Sequence, residues 1–205
     1  VAEWQENIAD KLTAYGIIAS WQNDVVDWLS EVMAAPLTPH LQLRHLRYEH
    51  TLRELDFHLP LDRFHTSRLI DCLQRHGLNV GNLPPQQISG FLKGSIDLIF
   101  QHQGRYFIAD YKSNHLGHQL SDYQPDNMAQ AMASHGYNLQ AAIYALALHR
   151  WLSSRLRDYD PERHLGGVYY LFIRGMHPHG SEGIHYWRPG LALLKDMSAL
   201  LGETA

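Results

Sequence analysis

One cysteine in 205 residues, Cys72, leaves no internal disulfide to stabilise the chain and fits a reducing compartment. No cysteine–histidine spacing of the zinc type surrounds it, so Cys72 reads as a small buried apolar residue. Long apolar runs are lacking as well: nothing approaches the roughly 18 consecutive apolar residues of a membrane-spanning helix. The opening residues Val1-Ala-Glu-Trp-Gln-Glu6 carry neither a basic n-region nor an apolar h-region, so a soluble chain without a secretory address is expected. Positive charge is not in excess, with 17 Lys and Arg against 21 Asp and Glu and a net charge of -4. Bulk attraction to polyanions or acidic membrane surfaces is thereby excluded, and only a local basic groove is left open to nucleic acid. The chain lacks an initiator Met and opens inside a helical pattern, from which a piece of a longer protein is expected.

What is present is core material: 45% hydrophobic and 11% aromatic residues suit one globular domain. We expect a single domain over 1–205, with residues 1–45 a helical lead-in and 46–205 the core. The 15 histidines are scattered among polar neighbours, as at His45, His50, His58, His65, His76 and His177, and read as surface residues. Apolar positions Ile8, Leu12, Ile17, Trp21, Val25, Trp28, Leu29 and Val32 recur at helical spacing up to Pro36, predicting two short helices. From Arg47 to Leu61 the period becomes two, with Leu55, Phe57, Leu59 and Leu61 on one face and Glu54, Asp56 and His58 on the other. A short helix is predicted over Ser67–His76, a loop over Asn79–Gln87, and a β-hairpin with arms Lys93–Gln101 and Arg105–Lys112. Helices over Tyr123–Ser134 and Tyr137–Leu156, strands over Gly166–Ile173 and Ile184–Trp187, and a closing helix over Leu191–Leu201 complete the order. This is an α/β (α+β) arrangement around a central mixed sheet.

If Gln103 and Gly104 are the two turn residues of the hairpin, Asp97 stands directly opposite Asp110. Opposed residues of an antiparallel pair have Cβ atoms roughly 4.5–5.5 Å apart on one face, and Lys112, two residues on, shares that face. Two like charges facing each other there are destabilising, and a divalent cation with oxygen preference is the economical compensation. An ordinary ion pair of one aspartate with Lys112, Lys93 or Arg105 is the other reading of the spacing. The flanks Gly94-Ser-Ile96, Leu98-Ile-Phe100 and Tyr106-Phe-Ile-Ala109 favour the first, because solvated aspartates seldom emerge from such apolar strands.

An Asp, twelve intervening residues and Asp-x-Lys is the spacing of the PD-(D/E)xK nuclease superfamily. The runs Gly90-Phe-Leu-Lys-Gly-Ser-Ile-Asp97-Leu-Ile-Phe100, Gly104-Arg-Tyr-Phe-Ile-Ala-Asp110-Tyr-Lys-Ser-Asn114, Tyr137-Asn-Leu-Gln140-Ala-Ala-Ile-Tyr144 and Gly166-Gly-Val-Tyr-Tyr-Leu-Phe-Ile-Arg-Gly175 closely resemble the carboxy-terminal nuclease domains of the RecB family. The resemblance extends from about Glu54 to the end of the chain and implies a restriction-endonuclease-like core. It further implies a Mg²⁺-dependent exodeoxyribonuclease of the exodeoxyribonuclease V type, in a bacterial, cytoplasmic helicase–nuclease subunit that processes DNA ends for recombinational repair. RecC-like and RecD-like subunits would be its partners, with a RecA-type recombinase as a further one and no membrane. The resemblance assigns Asp97 and Asp110 to the metal, with Mn²⁺ or Ca²⁺ as substitutes, and Asp97, Asp110 and Lys112 to catalysis.

The same family places a Glu on a strand before the hairpin, which falls on Glu54, with Asp56 a competitor on that strand face. Its Tyr-x-x-Gln-x-x-x-Tyr motif falls on Tyr137, Gln140 and Tyr144, spaced for one helix face, and implies contact with DNA or with a water at the metal. For the two tyrosines alone, an amphipathic boundary between core and solvent would be the simpler account. Arg174 stays outside the catalytic set as a solvated strand-end arginine. The family also supplies a histidine ligand from an upstream helix, whereas no histidine precedes His40 here, and the expectation is that the chain begins just after it. A catalytically impaired nuclease-fold module for DNA binding or docking is the alternative that this departure supports, and an unrelated carboxylate-metal phosphoesterase is a third.

Overall fold

The computed structural model describes residues 2–81 and 84–202, the side chains of residues 2–6 and 62 excepted, so Asn82 and Leu83 of the predicted loop lie outside the described residues. Helices α1 (Ala2–Ala14) and α2 (Gln22–Ala34) lead into a small ribbon of β1 (Pro36–Thr38) and β2 (Leu41–Gln42). Then come β3 (Thr51–His65), α3 (Thr66–Arg75), β4 (Gln87–His102) and β5 (Arg105–Lys112). The chain continues with α4 (Pro125–Ser134), α5 (Tyr137–Arg155), α6 (Pro161–His164), β6 (Leu165–Phe172), β7 (Ile184–Trp187) and α7 (Leu191–Leu200). The five longer strands form one mixed sheet in the order β3-β4-β5-β6-β7, parallel only between β5 and β6. A parallel pair cannot be joined by a tight turn, and the chain from β5 to β6 is the crossover that carries α4, α5 and α6.

All eight residues of β6 are buried, as expected of a strand covered on both faces. Val168, Tyr170 and Phe172 join Ile99 and Ile108 in a core shared with α4 and α5. Tyr169 and Leu171 join Leu98, Phe100, Phe107 and Ala109 in a second core, packed against Val32 of α2 and the β1–β2 ribbon. A third core gathers the far part of β3, α3, α5 and α7 around Leu59, Phe64, Leu73, Leu146 and Met197. The helical lead-in is therefore the cover of one sheet face. Ile17 and Trp21, assigned above to helix faces, instead lie between α1 and α2 and are exposed.

The β4–β5 turn has positive φ at both Gln103 (49°) and Gly104 (76°), the backbone of a turn whose twist suits a two-residue hairpin. The ladder runs from His102↔Arg105 to Leu98↔Ala109. That is the register expected from the sequence, and its next step brings Asp97 beside Asp110. The β3–β4 ribbon is longer than the sequence pattern indicates. β3 continues past Leu61 to His65 through an irregularity between Leu61 and Phe64, and β4 begins at Gln87 rather than Lys93. As the sheet's edge strand, β3 accepts Pro60, whose missing N–H would break a central strand.

Candidate active site

The acidic pair emerges where the ladder ends. Strand alternation sets Asp110 on the side of Ile108, facing α5, while its Cα neighbour on β6 is Tyr170. Asp97, half-buried, accepts a 2.9 Å hydrogen bond from the Tyr111 N–H through Oδ2. The Asp110 side chain is only 3% exposed, and its Oδ2 lies 2.6 Å from Lys112 Nζ, itself 12% exposed. Apart from that ion pair, no hydrogen-bond donor reaches Asp110 Oδ2 among the described residues. A buried carboxylate oxygen left with one cationic neighbour and a second carboxylate alongside is suited to a hard divalent ion with oxygen ligands.

Lys112 is held from three directions. Its ammonium pairs with Asp110, donates to Gln140 Oε1 at 3.0 Å, and lies 4.0 Å from the centre of the Tyr137 ring. Gln140 is fixed in turn: Oε1 also accepts from Tyr170 O–H at 3.0 Å, and Nε2 donates to Tyr144 Oη at 2.8 Å. Because Lys112 can only donate, the amide orientation is determined by the network. Tyr144 O–H ends the chain on the Ser95 carbonyl at 2.8 Å, two residues before Asp97. Tyr137 O–H donates to Asn114 Oδ1 at 3.0 Å, tying the start of α5 to the segment that leaves β5.

The packing behind this network depends on one glycine. Phe57 of β3 lies across Gly94 of β4, where an added Cβ would stand 2.6 Å from the ring. The same phenylalanine meets Tyr144 edge to face at 5.6 Å between centroids. Gly94 thus lets Phe57 lie on the strand and support the tyrosine that orients Gln140.

Electrostatics follow from burial. Desolvation pushes the Asp110 carboxyl above its ordinary range; the hydrogen bond and charge of Lys112 pull it down, and the Asp97 charge raises it further. Tyr144 is pushed up to about 12, first by burial and then by the Asp110 charge. The Tyr170 phenol is raised too, for the same reasons in the same order. Both tyrosines therefore act as neutral hydrogen-bond donors at neutral pH.

Of the residues singled out from sequence, Asp110, Lys112, Gln140, Tyr144 and Tyr137 come together in one network, and Asp97 stands beside it, held by the Tyr111 N–H. Glu54 stands apart from it. It interrupts the β3–β4 ladder between Arg53↔Leu98 and Leu55↔Ile96, in the register position beside Asp97. It is exposed, with φ of 51°, a conformation that costs a non-glycine residue roughly 1–2 kcal/mol. Asp56 is exposed one step further from the pair, and Arg174 donates to the Ser113 carbonyl at 2.8 Å. Tyr170 was missed by sequence reasoning. Its signal was a hydroxyl inside an otherwise apolar strand, at even spacing from Val168 and Phe172.

This constellation on a mixed sheet defines a class, and comparison with known proteins agrees with it. Residues 2–195 match the PD-(D/E)XK nuclease superfamily, and the chain belongs to that superfamily. It is 40% identical over 199 residues to RecBCD enzyme subunit RecB of Escherichia coli, a match covering 94% of this chain and 17% of that protein. The subunit of the same name from Haemophilus influenzae is 36% identical over 178 residues, 85% of this chain and 15% of the relative. That of Mycobacterium tuberculosis is 38% identical over 198 residues, 81% of this chain and 18% of the relative. The chain thus spans about a sixth of the length of these curated relatives. No helix among the described residues is long and apolar enough to cross a membrane.

Proposed function

We propose that the chain is the Mg²⁺-dependent exodeoxyribonuclease domain of a RecB-like helicase–nuclease subunit, hydrolysing DNA phosphodiesters during the processing of double-strand ends. RecC-like and RecD-like subunits are its proposed partners, with a RecA-type recombinase acting on the product. The observation that carries the reading is the buried Asp110 carboxylate beside Asp97, with Lys112 locked onto it by Gln140 and Tyr137. The likeness to RecB subunits over most of this chain supports the larger context.

Asp97 and Asp110 would hold the cation, and Glu54 stands next to them in register. When bound, a divalent ion supplies Lewis-acid polarisation of a phosphate oxygen and lowers the pKa of an attacking water. Lys112 presents a fixed positive charge at the same place, positioned to hold a nucleophilic water or to stabilise charge building on the phosphate in the transition state. Gln140, Tyr144 and Tyr170 keep that ammonium from swinging away, so the geometry exists before DNA arrives. Net negative charge makes it the task of neighbouring subunits to deliver the strand. A crystal soaked in Mn²⁺ tests the site: anomalous density between Asp97 and Asp110 is expected, and its absence at saturating Mn²⁺ would overturn the assignment.

A further inference from the structure

On the far side of α5 from the active site, α3 and α7 bring together three side chains of a different chemistry. Cys72 and His76 stand one helical turn apart on α3 and its C-terminal cap, and Asp196 meets them from α7. Their ligand atoms, Sγ, an imidazole nitrogen and a carboxylate oxygen, all lie within 4.8 Å of one another. His76 Nε2 is 2.8 Å from Asp196 Oδ2. Cys72 is fully buried, while the His76 and Asp196 side chains are 23% and 47% exposed. The thiol is therefore on the buried side of the cluster, and the imidazole and carboxylate are its partly exposed members.

We propose that Cys72, His76 and Asp196 form a second metal site, one that takes a borderline-soft transition-metal ion, Zn²⁺ before others, and clamps α7 to α3. A thiolate, an imidazole and a carboxylate are a zinc donor set, whereas Mg²⁺ and Ca²⁺ prefer oxygen alone. Zinc bond lengths of about 2.0–2.3 Å put tetrahedral ligands roughly 3.3–3.6 Å apart, so the present His76–Asp196 contact opens slightly to admit the ion. The fourth position faces solvent and takes water. On uptake the Cys72 S–H bond gives way to an S–metal bond and the proton leaves to solvent. Burial, and then the Asp196 charge, raise the Cys72 thiol above its ordinary value with Arg75 opposing them, so it is the charge of the ion itself that would displace the proton. Cys72 belongs to the third core, where α3 and α7 pack with Ala142 and Leu146 of α5, the helix that carries Gln140. A clamp at this point braces the back of the active-site helix. Sequence reasoning missed it because Cys72 and His76 are only half of the site, and Asp196 arrives from 120 residues away.

The test does not depend on the nuclease reading. The full chain is titrated with Zn²⁺ against a chromophoric chelator and, separately, with Co²⁺ while near-ultraviolet absorption is followed. One equivalent of Zn²⁺ and a thiolate-to-cobalt charge-transfer band are expected. Both should persist in an Asp97→Ala/Asp110→Ala double variant, and the band should vanish in Cys72→Ser. His76→Gln, at a half-buried position where the amide can keep a hydrogen bond to Asp196, should weaken Zn²⁺ binding by roughly 100-fold and abolish any rise in melting temperature with Zn²⁺. Absence of the charge-transfer band in the unsubstituted chain, or unchanged Zn²⁺ affinity in His76→Gln, would overturn the proposal.

Discussion

Lys112 and Gln140 belong to different elements, the end of β5 and the first turns of α5, yet a 3.0 Å hydrogen bond joins the ammonium to the amide oxygen. The strand supplies the charge and the helix fixes where it points. Turnover should therefore depend on Gln140 although it is not required for metal binding. Gln140→Ala is expected to lower kcat for DNA cleavage by about 10²-fold, comparable to loss of one positioned donor, while Ca²⁺ affinity by calorimetry stays within error. Equal losses in both would place Gln140 at the metal instead.

Lys112→Ala separates the same two quantities more sharply. Its ammonium sits 2.6 Å from Asp110 Oδ2 and competes there with any cation. Removing it should reduce kcat by roughly 10²–10³-fold and leave divalent-ion affinity unchanged or tighter. Calorimetry and steady-state cleavage on the same preparation check both, and weakened metal binding would contradict the assigned role.

The ionisation of Asp110 predicts a pH signature in the metal-free chain. Burial raises its carboxyl above the ordinary value of 3.8, so the native state holds the proton more tightly than the unfolded state does. The stability linked to this proton is complete below the ordinary value and is lost as pH rises through the elevated one. Asp110→Asn cannot ionise and escapes that loss. Its stability relative to the unsubstituted chain should therefore climb across the acidic window and level off above it, measured by urea unfolding in chelator. A gap that narrows with rising pH would mean that Lys112 outweighs desolvation.

How much of this was legible in the sequence follows from the range of the interactions. The Asp97–Asp110 juxtaposition was readable because a two-residue turn at Gln103-Gly104 fixes every pair of the hairpin, and the Tyr137, Gln140, Tyr144 face because helical spacing is local. The extent of the β3–β4 ribbon was not, since Pro60, the irregularity before Phe64 and Gly90 interrupt the alternation that marks a strand. His76 and His177, expected at the surface, are half-buried against Asp196 and Glu182, the first contact made by tertiary packing and the second by a fold of the loop before β7 that no regular spacing announces. Tyr170 looked like one more core aromatic because the acceptor it donates to, Gln140 Oε1, lies on another element.

That last residue carries its own expectation. Tyr170→Phe keeps the packed ring but removes the 3.0 Å hydrogen bond to Gln140 Oε1, which retains Lys112 as a donor. Stability should fall by about 1 kcal/mol and cleavage by several-fold, well short of the Gln140→Ala effect. Chemical denaturation and kcat measured together decide it; loss of activity equal to that of Lys112→Ala would give Tyr170 a direct part in the chemistry.

The most direct measurement is Mg²⁺-dependent cleavage of linear DNA by the proposed helicase–nuclease subunit in full length with its proposed partners, unsubstituted and with Asp110→Ala. ATP-driven unwinding is followed in the same samples. We expect cleavage to fall by at least about 10³-fold, with unwinding and the circular dichroism spectrum intact, because a lone aspartate holds Mg²⁺ poorly and the proposed metal seat needs both Asp97 and Asp110. Cleavage at the unsubstituted rate would contradict the account at its centre.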